Sequence, residues 1–188
     1  LKVNYYAKTN FSGITNIIDA LGGVEVDSPY EFTTLHGNYK IKKGVNELNG
    51  DQALCFVRER YALPSGDFDR GKNQQRLLKA MLKKAMSPKI ITNYSNILAA
   101  VEGSFETDMS SDDIKSLVNM QLDDMANWEM FNVQVTGDGA ISYDTYSQKG
   151  KKTYITIPYK KSIQNIRKVI DKIEAGKKLT EADVKGLS

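Results

Sequence analysis

Residues 58–76 read RERYALPSGDFDRGKNQQR, a run that closes one short apolar segment, turns, and opens a long amphipathic one. Four of the chain's five arginines fall here, Arg58, Arg60, Arg70 and Arg76, against twenty-one lysines spread over the whole sequence. Lysine serves as the ordinary solvated positive charge. Arginine differs because its planar fork can grip a phosphate or carboxylate through two hydrogen bonds at once. With Asp67, Asp69, Gln74 and Gln75 among them, the forks describe a site for a phosphorylated or otherwise anionic ligand. Clustering alone equally describes a solvated, salt-bridged helix start.

Local pattern sharpens the choice. A short helix over 51–57 would bury Ala53, Leu54, Phe56 or Val57 and deliver Arg58 at its end. If the chain then runs extended, Arg58 and Arg60 point the same way and Glu59 points away; if the helix continues, the two arginines diverge by about 200°. Pro64, Ser65 and Gly66 break periodicity, and Asp67 or Asp69 caps a helix running to about residue 86. On that helix Leu77, Leu78, Met81, Leu82 and Ala85 form the apolar stripe. Arg70 and Gln74, four apart, share a face near the first turn, where free N–H groups and a partial positive charge suit an anion. Lys72 and Arg76 can equally face solvent.

Outside this stretch the pattern alternates strands and helices. A strand over 3–7 leads to a helix that Asn10 or Ser12 caps and Gly22-Gly23 stops, with Phe11, Ile14, Ile17, Ile18 and Leu21 on one face. Strands follow over 24–26 and 39–42, with turn signals at Gly44 and Asn49-Gly50. Helices are expected over 90–101 and from Ser110 or Ser111 to about 125, the second with Ile114, Leu117, Val118 and Met125 inward. A strand over 128–135, a turn at Asp138-Gly139, a strand over 153–157 and an amphipathic helix over 160–175 complete the chain. Strand, helix and strand packed this closely argue for an α/β or α+β layer.

Composition bounds what such a domain does. With 188 residues, 40% hydrophobic and 26% charged, the sequence is that of one globular domain over 1–188. A net charge of +3, with no basic stripe or reading module, argues against a nucleic-acid partner. No run of about 18 apolar residues exists. The first residue is Leu1, inside a strand pattern, which predicts a fragment lacking its N-terminal part. Cys55 stands alone in an apolar run and reads as a small buried side chain, and the single histidine, His36, sits in a Gly- and Asn-flanked loop. Cys/His metal spacings, a P-loop, G-x-G-x-x-G and G-x-S-x-G are all absent.

An ordered set of short motifs resembles the LytR-CpsA-Psr family. It begins with Val3-Asn4-Tyr5-Tyr6, Phe11-Ser12-Gly13 and Asp19-Ala20-Leu21-Gly22-Gly23-Val24. Lys43-Gly44, Leu48-Asn49-Gly50 and Ala53-Leu54 follow, then Arg58-Glu59-Arg60 and Asp67-x-Asp69-Arg70-Gly71-x-Asn73-Gln74. The match is strong over 1–86 and looser beyond, and Asn73, where many members have arginine, is similar to the capsule-assembly branch.

The resemblance implies an enzyme anchored by an N-terminal helix at the extracytoplasmic face of the membrane of mainly Gram-positive bacteria. Such an enzyme moves capsular polysaccharide or a similar anionic glycopolymer from a polyprenyl-pyrophosphate carrier to peptidoglycan, as a phosphotransferase. It implies magnesium, with its aspartate ligands in the missing N-terminal part and none in this chain. Arg58, Arg60 and Asp67 would be catalytic, and Arg58, Arg60, Arg70 and Gln74 would bind pyrophosphate, with Asp67 orienting an arginine. The implied fold is α/β (α+β), a central mixed sheet with helices on both faces in three layers, incomplete at its N-terminal end. The isolated chain is then expected to be inactive unless the preceding segment is supplied. Two other readings stay open: a non-catalytic module that binds polyprenyl phosphate or an anionic polymer, and a regulator of capsule or envelope synthesis.

Overall fold

A computed structural model describes residues 4–125 and 128–187. The chain divides into two compact units, Leu1–Trp128 and Glu129–Ser188. The first begins with β1 (Ala7–Thr9), α1 (Phe11–Ala20), β2 (Val24–Ser28), β3 (Phe32–Thr33), β4 (Lys40–Ile41) and β5 (Gly44–Leu48). It continues with α2 (Gly50–Arg58), α3 (Asp67–Ala85), α4 (Pro88–Ile91), α5 (Tyr94–Ala100), β6 (Phe105–Thr107) and α6 (Ser111–Asp124). The second holds β7 (Gly137–Ser142), β8 (Thr153–Pro158), α7 (Lys160–Glu174) and α8 (Glu181–Val184).

Helix starts follow capping chemistry. The Asn10 side chain accepts the Gly13 N–H at 2.8 Å and opens α1. Asn49 and Gln52 form a reciprocal capping box that opens α2. Asn49-Gly50 is therefore a helix start and not a turn. Gly50 is required there: a Cβ would come within 2.5 Å of the Thr15 carbonyl oxygen and 2.7 Å of its Cα, so only glycine lets α2 lie this close to α1. Its N–H donates to Asp19 Oδ1 at 2.8 Å, which ties the two helices together.

The core forms where β2 alternates. Val24, Val26 and Ser28 are buried while Glu25 and Asp27 are exposed, and the strand pairs antiparallel with β5, Val24 opposite Leu48. Phe56 and Val57 of α2, Leu77 and Ala80 of α3, Ile18 and Phe32 pack onto the same cluster. Phe32 and Phe56 stack with centroids 5.9 Å apart.

The α/β class holds, but the sheet differs from expectation. The described strands form four two-stranded antiparallel ladders, β1–β6, β2–β5, β3–β4 and β7–β8, and no central mixed sheet. The helix α1 leads from β1 to β2, yet those strands do not pair: β1 finds its partner in β6 nearly a hundred residues later, and β2 finds β5. Strand β3 is only two residues long, and β5 buries Asn46 while exposing Val45, so neither shows in the sequence pattern.

Other expectations shift too. The strand begins at Ala7, and Val3 lies outside the described residues. Residues 90–101 break into α4 and α5. No strand forms over 128–135, because backbone groups there and just beyond pair elsewhere: Gln134 N–H with the Leu187 carbonyl at 2.7 Å, and Thr136 N–H with Ser162 Oγ at 3.0 Å. Asp138 and Gly139 lie inside β7, opposite Ile157 and Thr156. In the second unit Lys172 Nζ sits 2.6 Å from Asp183 Oδ2. That ion pair, with the Thr180 hydroxyl and N–H, holds the Asp183 carboxyl down at about 2.

Candidate functional site

The arginine-rich stretch is built by three local devices. Helix α2 ends at Arg58 because Glu59 turns extended, with φ −65° and ψ 138°. Gly66 sits immediately before α3 with φ +52°, a conformation that suits glycine, and serves as its N-cap. Asp67 and Asp69 therefore occupy the first turn of α3, where acids favour the dipole, and neither is the cap expected from sequence. Asp69, 5% exposed, reaches back instead to accept the Ser65 N–H at 2.9 Å.

Asp67 joins two of the arginines. Its Oδ1 lies 3.2 Å from Arg70 Nη2 and 3.7 Å from Arg60 Nη1. All three side chains are more than a third exposed, so the pairs add little stability and serve mainly to fix direction. Arg60 also lies over the Tyr61 ring, 4.5 Å from its centroid, and donates to the Tyr61 hydroxyl. Arg58 is exposed and held differently, 4.9 Å above the ring of Phe11 at the start of α1. Arg60, Asp67 and Arg70 are thus brought together through one carboxylate. Arg58 stands on its own aromatic support, and Gln74 is exposed on the turn of α3 after Arg70.

Below this face α3 is unexpectedly polar. Its buried positions are Asp69, Asn73, Leu77 and Ala80, whereas Leu78 and Leu82, expected in the stripe, are 58% and 40% exposed. Arg76 is not simply solvent-facing: its Nη1 donates to Asn73 Oδ1 at 2.9 Å. Asn73 is 1% exposed, and its Nδ2 has no hydrogen-bond partner among the described residues. Cys55 is half-buried; burial pushes its thiol above the ordinary range, against the pull of Arg58, which does not suit a nucleophile.

Three supporting residues escaped the sequence reading. Phe11 and Tyr61 were legible only as apolar or unassigned residues, although an aromatic immediately after Arg60 is a usable signal. Glu59, between two arginines, is 3% exposed. Its Oε1 accepts N–H groups from Arg60, Tyr61 and Ala62 at 3.0, 2.8 and 3.0 Å, and its Oε2 accepts the Leu35 N–H at 2.6 Å. Burial raises the carboxyl's pKa, but these four donors outweigh it and the net shift is downward. A depressed pKa contributes stability above the ordinary value of 4.5 and loses it as pH falls through the folded value. Amide exchange at Leu35, Arg60, Tyr61 and Ala62, corrected for its intrinsic pH dependence, should therefore be slow above the ordinary value of 4.5 and accelerate as pH falls below it. Protection that never falls on acidification would contradict the assignment of these bonds to an ionised carboxylate.

A magnesium centre does not fit these residues. Among the described residues no group of three or more His, Cys, Asp or Glu could hold a metal ion, and Asp67 is engaged by two guanidinium groups. The described helices include none long and apolar enough to cross a membrane.

Comparison with known proteins gives the site its context. The LytR_cpsA_psr family model matches residues 1–175. The chain belongs to the LytR_cpsA_psr family. Within that family, a polyisoprenyl-teichoic acid–peptidoglycan teichoic acid transferase, TagU of Bacillus cereus (strain AH820), is 36% identical over 137 residues, 73% of this chain and 44% of that protein. This LytR_cpsA_psr chain thus spans less than half the length of that relative. Among solved structures, B. subtilis TagV superposes with a TM-score of 0.74 at 22% identity, covering 95% of this chain and 66% of that one. Protein gbs0355 from Streptococcus agalactiae gives 0.71 at 28% identity, covering 96% and 60%.

Proposed function

We propose that this chain forms the arginine wall of a cell-wall glycopolymer transferase. The substrate is a polyprenyl-pyrophosphate-linked anionic polymer, a capsular polysaccharide or a teichoic-acid-like chain, and the acceptor is peptidoglycan. The observation that carries the reading is Asp67, whose carboxylate gathers Arg60 and Arg70 at the junction of α2 and α3. The name of the TagU relative supports the substrate class and the acceptor.

In this reading the chemistry is positioning and charge neutralisation. Phosphoryl transfer to an acceptor hydroxyl leaves negative charge on the departing phosphate, and forks already held in place stabilise it without reorganising. Arg60 and Arg70 face that charge together, Arg58 adds a third fork from its Phe11 support, and Gln74 extends the donor set along α3. Asp67 is already ion-paired with two guanidinium groups, which suits an orienting role better than that of a general base. Magnesium, if it takes part, would supply further neutralisation of phosphate charge, and its acidic ligands would come from outside the described residues. The site of action proposed is the extracytoplasmic face of the membrane.

Reconstitution tests this function. The 188-residue chain is incubated with polyprenyl-pyrophosphate-linked polymer, peptidoglycan and magnesium, alone and with the remaining length of a TagU-like relative supplied. Attachment of polymer is expected only in the second case. Attachment by the chain alone would overturn the half-site reading, and none in either case would overturn the transferase reading.

A further inference from the structure

The loop that carries Arg60 contains an anion site that its own chain fills. Three successive N–H groups, from Arg60, Tyr61 and Ala62, converge on one oxygen of Glu59, as in the backbone nests that bind anions. The other oxygen takes the N–H of Leu35. Leu35 belongs to a turn that is itself locked. The buried Thr34 donates its hydroxyl to the His36 carbonyl at 2.6 Å and accepts the Tyr39 N–H at 3.0 Å. One carboxylate therefore ties a rigid turn to the segment from which Arg60 departs, while Arg60 itself reaches outward to Asp67.

We propose that Glu59 is a positioning residue for the arginine site: its carboxylate fixes the turn at 60–62 against the turn at 34–39 and so aims the Arg60 guanidinium at Asp67. No rotation of the Arg60 side chain alone can replace this, because the backbone direction at Arg60 is what the four donors set. Both carboxylate oxygens are needed. A glutamine keeps one oxygen for the trio but presents an N–H group to the Leu35 N–H, or the reverse, so one side of the tie is lost in either orientation.

The test has a ligand-free arm and a ligand arm, the second resting on the proposed function. In 15N-labelled protein the Arg60 side-chain Nε–H resonance is identified by its loss in Arg60→Lys, with Arg167 as internal control. Glu59→Gln is expected to move or broaden the Arg60 signal and leave Arg167 unchanged, in protein that still melts cooperatively. Titration with inorganic pyrophosphate should show about a tenfold weaker Kd for Glu59→Gln than for the parent. Glu59→Asp keeps the charge and loses one methylene, and is expected to recover part of that affinity. An unchanged Arg60 resonance in folded Glu59→Gln overturns the proposal, and so does a pyrophosphate Kd equal to the parent's. If the parent binds no pyrophosphate, the ligand reading fails and the Arg60 resonance still decides the positioning role.

Discussion

Replacing Arg58 and Arg60 together by alanine is expected to weaken binding of a polyprenyl pyrophosphate by about a hundredfold and to abolish polymer attachment in the complete protein. The two side chains are exposed or half-buried, carry no core, and rest on Phe11 and Tyr61. The double variant should therefore fold as the parent does. The loss arises because each guanidinium offers paired, charge-assisted hydrogen bonds to phosphate oxygens, which a neutral side chain cannot replace. Lysine in both places restores charge but not the fork, so recovery should be partial. Binding and attachment both unchanged in the alanine variant would sink the assignment of these arginines.

The second large effect lies two residues before Arg58, on α2. Phe56 is fully buried, stacks on Phe32, and fixes the rotation of α2, at whose end Arg58 emerges. Phe56→Ala removes a large side chain from a packed cluster and leaves a cavity, at a cost of about 3–5 kcal/mol. That is a large part of the roughly 5–15 kcal/mol that holds an ordinary domain folded. Urea unfolding followed by circular dichroism should show the midpoint fall sharply. A midpoint within experimental error of the parent would mean that the core is not centred where β2, α2 and α3 meet.

Much of this architecture was legible because its signals are local. Asn10 as cap, Gly22-Gly23 as stop, the alternation at Val24 and Val26, and the end of α2 at Arg58 all follow from neighbouring residues. The same holds for the helix beginning after Ser110 and the amphipathic one from Lys160. What sequence could not supply is partnership across distance. Nothing near Ala7 announces β6, and nothing at residues 128–135 shows that Gln134 bonds to Leu187 and not to a neighbouring strand. The buried face of α3 misled for a related reason. Asp69 and Asn73 look like surface residues until Asp69 is seen to accept the Ser65 N–H and the Asn73 oxygen to accept from Arg76, and Leu78 and Leu82 then fall outside.

The site shows the same division. The arginines are visible as a cluster, and the extended geometry after Arg58 is one of the two conformations that the local pattern allows. The hidden part is the support. Arg58 depends on a phenylalanine 47 positions earlier, and Glu59 on a backbone N–H 24 positions earlier. Neither pairing has a spacing rule that a single sequence exposes.

The central claim, that the junction of α2 and α3 is a pyrophosphate site, is tested most directly by the binding arm of the first prediction in its simplest form. Inorganic pyrophosphate is titrated calorimetrically into the chain and into its Arg58→Ala/Arg60→Ala variant at low salt. The account predicts measurable binding that weakens with added salt and drops by about a hundredfold in the variant. Equal affinity in the two proteins would contradict it.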